Sequence, residues 1–210
     1  MEEPPDGTLL RSFQGGDTSA LTRLVARHQG VLMRHARSIL GEGGPYEDVV
    51  QEVFLRLVQT PPEVRGDALA ERAQLSSWLH KVVRNCCMDT LRSEQRRKRR
   101  EEGAAAPDVT QGEVSLLEER DTRAAVERGL NRLPTEQREV LVLRLLAERS
   151  YKEIAEITGK KVGTVGWLVS VGLKALAEHL GPLLGTEAAL SQPQAGHMQP
   201  GLGFAQGERS

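Results

Sequence analysis

The chain has 210 residues, with 28 lysines and arginines against 29 aspartates and glutamates, and a formal net charge of −1. This length allows one or two small domains, and the near-neutral charge excludes a polycation that binds nucleic acid over its whole surface. Aromatic residues make up only 3% of the chain, and leucine, valine and alanine supply most of the apolar side chains. That composition favours helical packing over a β-sandwich.

Several classes of function lack sequence support. Residues 1–6, MEEPPD, are acidic and polar, so we predict no signal peptide, and no apolar run is long enough to span a membrane. Cys86 and Cys87 are adjacent and poorly placed to bridge each other, and no histidine or cysteine spacing predicts a metal site. No phosphate loop or nucleophile–base pair stands out. We therefore expect a cytoplasmic protein that is not an enzyme and uses no cofactor, metal or membrane insertion.

The first long helix is predicted from Asp17 to Leu40, after a short helical or frayed lead-in that extends to about Gly16. Asp17, Thr18 or Ser19 can cap its N-terminus. Its candidate core residues are apolar and recur at helical spacing: Leu21, Leu24, Val25, Val31, Leu32 and Ile39.

The next helix is predicted over residues 46–59, after the break at Gly43-Gly44-Pro45. Its buried side should consist of Val49, Val53, Phe54 and Leu57. Its polar side carries Asp48, Gln51 and Glu52. Taken alone, such a charged face indicates nothing more than contact with solvent.

A further helix is predicted from Ser76 to Arg100, with Ser76 or Ser77 as its N-cap. Its core side consists of Leu79, Val82, Val83 and Cys86. A different stripe carries an aromatic, an amide and cations: Trp78, Lys81, Asn85 and Arg92. This combination suits single-stranded nucleic acid, since bases stack on aromatic rings and cations follow phosphates. The alternative is a core tryptophan beside a solvated basic face.

The end of this helix is strongly basic. The run Arg96-Arg97-Lys98-Arg99-Arg100 is either a solvated helix end or a phosphate contact, which would add affinity without reading sequence. Residues 101–113 follow, and their small residues and proline predict a linker. Residues 181–210 repeat glycine, proline and glutamine and are expected to be disordered.

The second half contains a helix-turn-helix pattern. A helix starts at Pro134, and Val140, Leu141, Leu143 and Leu145 can face a core. Ile154, Ala155 and Ile157 then form the apolar face of a short helix. Gly159 falls where the turn needs a residue that tolerates a positive φ, and Val165 and Leu168 open the second helix. Such a second helix normally enters the DNA major groove. The alternative is a helical hairpin that binds nothing.

Several linked motifs resemble a known family. The runs LPTEQREVLVLR (133–144), SYKEIAEITG (150–159) and VGTV (162–165) resemble the promoter-reading C-terminal domain of bacterial sigma factors, most closely the extracytoplasmic-function class. The run EDVVQEVFLRL (47–57) is similar to the sigma-factor helix that docks on the polymerase clamp. The run WLHKVVRNCCMDTLRSEQRR (78–97) is similar to the helix that melts and reads the −10 element.

The resemblance implies an all-α fold with two small helical domains joined by a flexible linker, the second domain containing the helix-turn-helix. Residues 1–100 would form the first domain, 101–113 the linker, 114–180 the second domain and 181–210 a tail. The implied partners are core RNA polymerase and promoter DNA, duplex at −35 and single-stranded at −10. An anti-sigma factor of unknown type is a further partner that the family allows.

The resemblance also implies three sets of site residues. Asp48, Gln51 and Glu52 would meet basic residues of the polymerase clamp. The −10 contacts would come from Val64, Arg65, Trp78, Lys81, Arg84, Asn85, Asp89 and Arg92. The −35 contacts would come from Lys160, Lys161, Thr164 and Trp167.

The chain departs from the family pattern in two places. Val64 stands where the −10 loop often has an aromatic residue, and residues 68–75 look longer than is typical. In the recognition helix, Gly166, Leu168 and Val171 replace expected cations. We expect Leu168, Val169, Leu173 and Leu176 on its packing side, and Trp167, Ser170 and Val171 outward.

Two alternative functions follow from these observations. A helix-turn-helix regulator could act without polymerase, although the clamp-type helix at 46–59 argues against it. A sigma-like interaction protein could instead bind a protein partner through its second domain, and the missing cations are the support for this reading.

Overall fold

The computed structural model describes residues 3–101 and 122–184, and the described residues are helices and their connections, without a β-strand. The predicted linker after Glu101 and residues 185–210 of the predicted tail lie outside the described residues, whereas residues 181–184, which the sequence analysis assigns to the tail, form the end of helix α8. The first four helices are α1 (Asp6–Gln14), α2 (Thr18–Leu40), α3 (Tyr46–Gln59) and α4 (Ala68–Glu101). The later ones are α5 (Thr122–Asn131), α6 (Thr135–Leu141) with a π-helical turn at Val142–Leu146, α7 (Tyr151–Thr158) and α8 (Val162–Leu184). The predicted all-α class is confirmed.

Helices α1–α4 enclose the first apolar core. Leu24, Leu32, Val53, Leu79 and Val83 are fully buried there, and each buried aliphatic side chain contributes roughly 1.5–3 kcal/mol relative to exposure. Asp17 caps α2 as predicted, because its carboxylate accepts the Ser19 N–H at 2.9 Å. The predicted core sides of α2 and α3 are confirmed in the main, although Leu21, Val25, Val31 and Phe54 are only partly buried.

The predicted start of α4 at Ser76 is wrong, because the helix begins at Ala68. The N-cap is Asp67, whose carboxylate accepts the Ala70 N–H at 2.8 Å, so neither Ser76 nor Ser77 caps the helix. Residues 68–75, ALAERAQL, are strong helix formers, and the helix continues through them into the serines. The extra length noted in the sequence is therefore two more turns of α4.

Helices α5–α8 enclose a second core around Val140, Leu141, Leu143, Ile154 and Val165. Two predicted core residues are exposed instead. Leu145 is 46% exposed because it lies in the π-helical turn, where the Ala147 N–H donates to the Val142 carbonyl at 3.1 Å and the wider turn rotates Leu145 outward.

Leu173 is the other wrong core prediction, with 42% of its surface exposed. The buried stripe of α8 runs through Val165, Leu168, Val169, Gly172 and Leu176. Leu173 lies at the edge of this stripe, one residue past Gly172, where the α6 side chains no longer cover it.

The two domains pack against each other. Helix α2 contacts α6 and the π-helical turn, while α4 contacts α7. The interface is polar: Arg84 donates to Glu139 at 2.9 Å, Arg138 donates to the Ser38 carbonyl at 2.8 Å, and Asn131 donates to Glu42. This closed arrangement determines which candidate site residues are exposed.

Among the described residues, no helix combines the length and the apolar character that crossing a membrane requires.

Candidate polymerase and nucleic-acid interfaces

The predicted polymerase-binding residues lie together on the outer face of α3. Asp48, Gln51 and Glu52 are exposed, while Val49 and Val53 beneath them anchor the helix in the first core. Glu52 accepts from Arg56 one turn later at 2.8 Å. Pairing with Glu52 raises the pKa of the Arg56 guanidinium, and Asp48 has no ion pair within the described residues.

This face borders an open groove between α3 and α4. The groove has a volume of about 320 Å³, and its charged lining residues are Asp48, Glu52, Arg56 and Asp89. Three of these four side chains are carboxylates, and Arg56 is already paired with Glu52. The groove is therefore acidic and open, which suits a basic helical surface.

The predicted −10 loop is held in one conformation by α4. The Arg65 N–H donates to the Gln74 side chain at 3.1 Å, and the Gln74 amide donates back to the Arg65 carbonyl at 2.7 Å. Gly66 has φ +115°, which favours glycine, and Asp67 caps α4. Val64 is half-buried against the first core, whereas the Arg65 side chain is exposed. A hollow of about 220 Å³ lies beside the loop, lined by Leu10, Arg11, Gln14, Pro62, Glu63, Val64 and Arg65.

Helix α4 brings most of the other predicted −10 residues to one exposed side. Lys81, Asn85, Asp89 and Arg92 are exposed at helical spacing, and Asp89 accepts from Arg92 at 3.1 Å. Trp78 is half-buried and packs on the first core, so part of its surface remains exposed.

Arg84 is separated from this stripe. It faces the second domain, where its Nε donates to the buried carboxylate of Glu139. His35 lies 3.6 Å from the same carboxylate and shares a hydrogen with His80, whose Nδ1 is 3.0 Å from the His35 Nδ1. The closed arrangement therefore engages one candidate DNA contact inside the protein.

The buried cluster perturbs two titratable groups. Burial, reinforced by His35 beside it, lowers the pKa of His80 well below its usual value. Burial alone would raise the pKa of Glu139, but hydrogen bonding and electrostatic attraction from His35 and Arg84 outweigh it and lower that pKa. His35 and Arg84 together thus favour the charged form of Glu139 although it is buried.

The helix-turn-helix is fixed by its caps. Ser150 and Glu153 form a capping box: the Ser150 Oγ accepts from the Glu153 N–H at 3.2 Å, and the Glu153 carboxylate accepts from the Ser150 N–H at 2.8 Å. Gly159 has φ +70° at the turn, which confirms the predicted left-handed position. The geometry is that of a helix presented for a groove.

The predicted −35 residues lie where α8 begins, but they are not equally available. Lys161 and Thr164 are exposed, and Trp167 is 61% exposed on the outward face. Lys160 is mostly buried and pairs with Glu136 at the start of α6. Gly166 lies under the Tyr151 ring, so a tyrosine of α7 covers the site of one missing cation.

The sequence analysis did not identify the residues that join the two domains to each other or the −10 loop to helix α4. Glu139, His35 and His80 each act through a partner distant in the chain, and no local spacing marks such a pair. Gln74 bonds across a loop to Arg65, and no periodic pattern marks that contact. A glutamate on the apolar side of a predicted helix, beside Val140 and Leu141, was the available signal for Glu139.

Two family models match the chain: sigma-70 region 2 over residues 24–97 and sigma-70, region 4, over residues 123–176. The ECF RNA polymerase sigma factor SigM of Mycobacterium tuberculosis is 32% identical over 185 residues, which cover 86% of this chain and 87% of SigM. The ECF RNA polymerase sigma-E factor of Escherichia coli is 29% identical over 198 residues, with 87% and 98% of the two chains covered.

The chain therefore belongs to the extracytoplasmic-function sigma factors, the two-domain class of bacterial transcription initiation factors. The predicted family is confirmed, and the alternative of a helix-turn-helix regulator that acts without polymerase is rejected.

Two solved structures are similar. The sigma factor RpoE from Bartonella quintana, crystallised with the anti-sigma factor NepR, has a TM-score of 0.57 and 23% identity, covers 76% of this chain and 95% of its own, and shows the fold. CnrH, in complex with the cytosolic domain of CnrY, has a TM-score of 0.53 and 26% identity, with 87% and 99% of the two chains covered.

Proposed function

We propose that the first domain, residues 1–100, binds core RNA polymerase and opens the −10 region, and that the second domain, residues 114–180, reads the −35 element. Polymerase performs the chemistry, so this chain acts in the cytoplasm as a positioning factor and not as an enzyme. The observation that carries the proposal is the exposed acidic groove on the α3 face, in a chain of this family.

Polymerase binding would use the groove between α3 and α4. Asp48 and Glu52 project from a helix whose other side is fixed in the core, so a partner would meet a rigid surface. Their carboxylates would attract a basic helix, which speeds association and selects its orientation. Gln51 would add hydrogen bonds at the centre of the contact.

Opening at −10 would use the α4 stripe and the loop before it. Bases of the unpaired strand would stack on Trp78 and meet the Asn85 amide, while Lys81 and Arg92 would follow the phosphates. The hollow beside Val64 and Arg65 is suited to a base that has left the stack, because the Gln74 hydrogen bonds keep that loop in place without DNA.

Reading at −35 would rest on few residues. Thr164 and Trp167 face outward from α8, and the apolar Trp167 ring suits thymine methyl groups. Lys161 would supply a phosphate contact. Because this surface has few cations, most promoter affinity would come from the first domain and polymerase.

An anti-sigma factor is proposed as a further partner, supported by the similar sigma factor RpoE, whose structure contains the anti-sigma factor NepR, and by CnrH, whose structure contains the cytosolic domain of CnrY.

A second candidate function has a specific observation behind it. Trp167 is highly exposed on a face of α8 that is poor in cations, and exposed tryptophans are enriched in protein interfaces. In this candidate, the second domain binds a protein partner and not −35 DNA.

The clamp contact is tested with core polymerase and the full chain. Asp48→Arg with Glu52→Arg should weaken core binding at least about tenfold, because reversed charges repel a basic partner. Glu47→Arg, compared with Asp48→Arg alone, is the matched control, since each reverses one exposed acid on the same helix and Glu47 lies outside the proposed set. Transcription from genomic fragments with the added factor completes the test.

The proposal fails if the double variant binds core polymerase as the parent does, with an unchanged melting temperature. It also fails if Glu47→Arg is as defective as Asp48→Arg alone, since the effect would then be one of net charge.

A further inference from the structure

A cleft between the two domains is lined by arginines. Its volume is about 300 Å³, in the range of small-ligand sites. Helix α2 contributes Arg27 and Arg34, helix α4 contributes Arg72 and Ser76, and the segment after the π-helical turn contributes Glu148 and Arg149. These six residues define the Arg34 cleft.

Two of the arginines are already neutralised. Arg27 pairs with the buried Asp6 and with Glu3, and Arg149 donates to Glu153 at 3.0 Å. These partners fix both guanidinium groups at the edges of the cleft.

The other two arginines have no such partner. Within the described residues, neither Arg34 nor Arg72 makes a hydrogen bond or an ion pair, and the Arg34 Nε is buried without an acceptor. Because neither guanidinium group is paired, an acceptor in the cleft would meet donors that do not have to give up another partner. Glu148 is the single carboxylate among the described lining residues, and it leaves the cleft cationic.

We propose that the Arg34 cleft binds a small oligophosphate, either inorganic or carried by a nucleotide, between the two domains. Arginine forks bind phosphate oxygens in pairs, and the Ser76 hydroxyl adds a neutral donor. The ligand touches α2 and α4 on one side and residues 148 and 149 on the other, so it binds the closed arrangement and shifts the population toward it. Binding itself does not depend on the promoter contacts proposed above.

The full chain is titrated calorimetrically with inorganic tripolyphosphate and, separately, with ATP, at low ionic strength. Arg34→Gln with Arg72→Gln should weaken binding at least about tenfold, because two charge-assisted contacts are lost. Arg132→Gln with Lys174→Gln removes the same charge from exposed positions outside the cleft and should leave binding unchanged. Glu148→Gln should strengthen binding, since it removes the repelling carboxylate. Tighter binding of ATP would assign the site to nucleotides, and equal or weaker binding to inorganic oligophosphate.

The proposal is overturned if tripolyphosphate shows no saturable binding, or if both double variants lose affinity equally, which would assign the effect to overall charge. If the arginine double variant melts early, Glu148→Gln decides: unchanged affinity overturns the proposal and increased affinity supports it.

Discussion

Single glycines set how closely the recognition helix approaches its support. A Cβ at Gly172 would lie 3.0 Å from Leu141 Cδ1, and Leu141 is fully buried in α6. A Cβ at Gly163, on the same helix, would meet nothing within 4 Å. The same residue type therefore has a packing role at one position and none at the other.

This pair yields a stability prediction. Gly163→Ala should raise the free energy of unfolding by less than about 1 kcal/mol, the difference in helix propensity for a helix interior, because Gly163 lies in the first turn of α8. Gly172→Ala should lack this gain or lose stability, because Leu141 must move in a packed core. Thermal denaturation of both variants is the measurement, and equal gains would contradict the close approach of α6 and α8.

Asn85 is the exposed amide at the centre of the α4 stripe. Asn85→Ala should impair open-complex formation by roughly 2- to 10-fold, the effect of one lost hydrogen bond to an unpaired base. Permanganate footprinting on a native promoter and on a pre-melted bubble measures it, with Gln95→Ala as an exposed amide control on the same helix. A normal footprint on both templates would show that Asn85 does not contact an unpaired base and is simply exposed to solvent.

At the scale of the element, helix α8 has a buried side typical of a helix-turn-helix and an outward side with few cations. The outward side presents Thr164 and Trp167. Just before the helix, Lys161 has no ion pair within the described residues, whereas Lys160 is paired with Glu136. Under the proposed function, Thr164 and Trp167 would read the sequence and Lys161 would contact a phosphate.

Mutations of Trp167 and Lys161 can distinguish the two proposed roles, sequence reading and phosphate contact. Trp167→Ala should change promoter preference at thymine-bearing steps, whereas Lys161→Ala should weaken all promoters alike and reduce the salt slope by about 1. Binding of the holoenzyme to a promoter panel at several salt concentrations measures both. If neither variant alters DNA binding and Trp167→Ala disrupts a protein complex, the interaction-protein candidate becomes the better one.

At the scale of the whole molecule, the closed arrangement depends on a buried polar cluster. Glu139 of the second domain is held by Arg84 and lies near His35, and His80 completes the cluster behind it. Such clusters are strongly destabilised when a buried group changes its charge.

This arrangement predicts a pH dependence. The pKa of His80 is well below its usual value in the folded chain, so the unfolded chain takes up a proton first as the pH falls below about 6.5. Stability should then fall with acidification by up to about 1.4 kcal/mol per pH unit, and the lowered pKa of Glu139 adds a further loss below its usual range. Melting temperatures from neutral to mildly acidic pH measure this. His80→Gln should make the melting temperature depend less on pH, whereas the control His179→Gln should not. If the two variants show the same pH dependence, His80 is not its source.

The sequence predicted the helices and most of the core, because both depend on local spacing. The Gly159 turn, the Asp17 cap and the α3 boundaries followed from a few neighbouring residues. The start of α4 did not, since Asp67 outcompeted Ser76 as the cap and the intervening residues all favour helix. Leu145 was placed inside because a π-helical turn leaves no local mark.

The candidate sites divide in the same way. The exposed faces of α3 and α4 could be read from spacing, and the structure places Asp48, Glu52, Lys81 and Asn85 on them. The engagement of Arg84 by Glu139 could not, because it joins residues of different domains. The pairing of Lys160 with Glu136 could not be read either, because the two residues are far apart in the sequence although both lie in the second domain.

The Arg84–Glu139 pair has a consequence for the order of encounters in the cell. A genome offers a vast excess of non-promoter duplex, and a free initiation factor with every cation displayed would be sequestered on it. Under the proposed function, the acidic α3 face is open to polymerase while Arg84 is occupied by Glu139, so this pair would favour an encounter with polymerase over one with DNA. We expect Glu139→Gln, which releases Arg84, to spend more time on random DNA and to reach polymerase more slowly when competitor DNA is present.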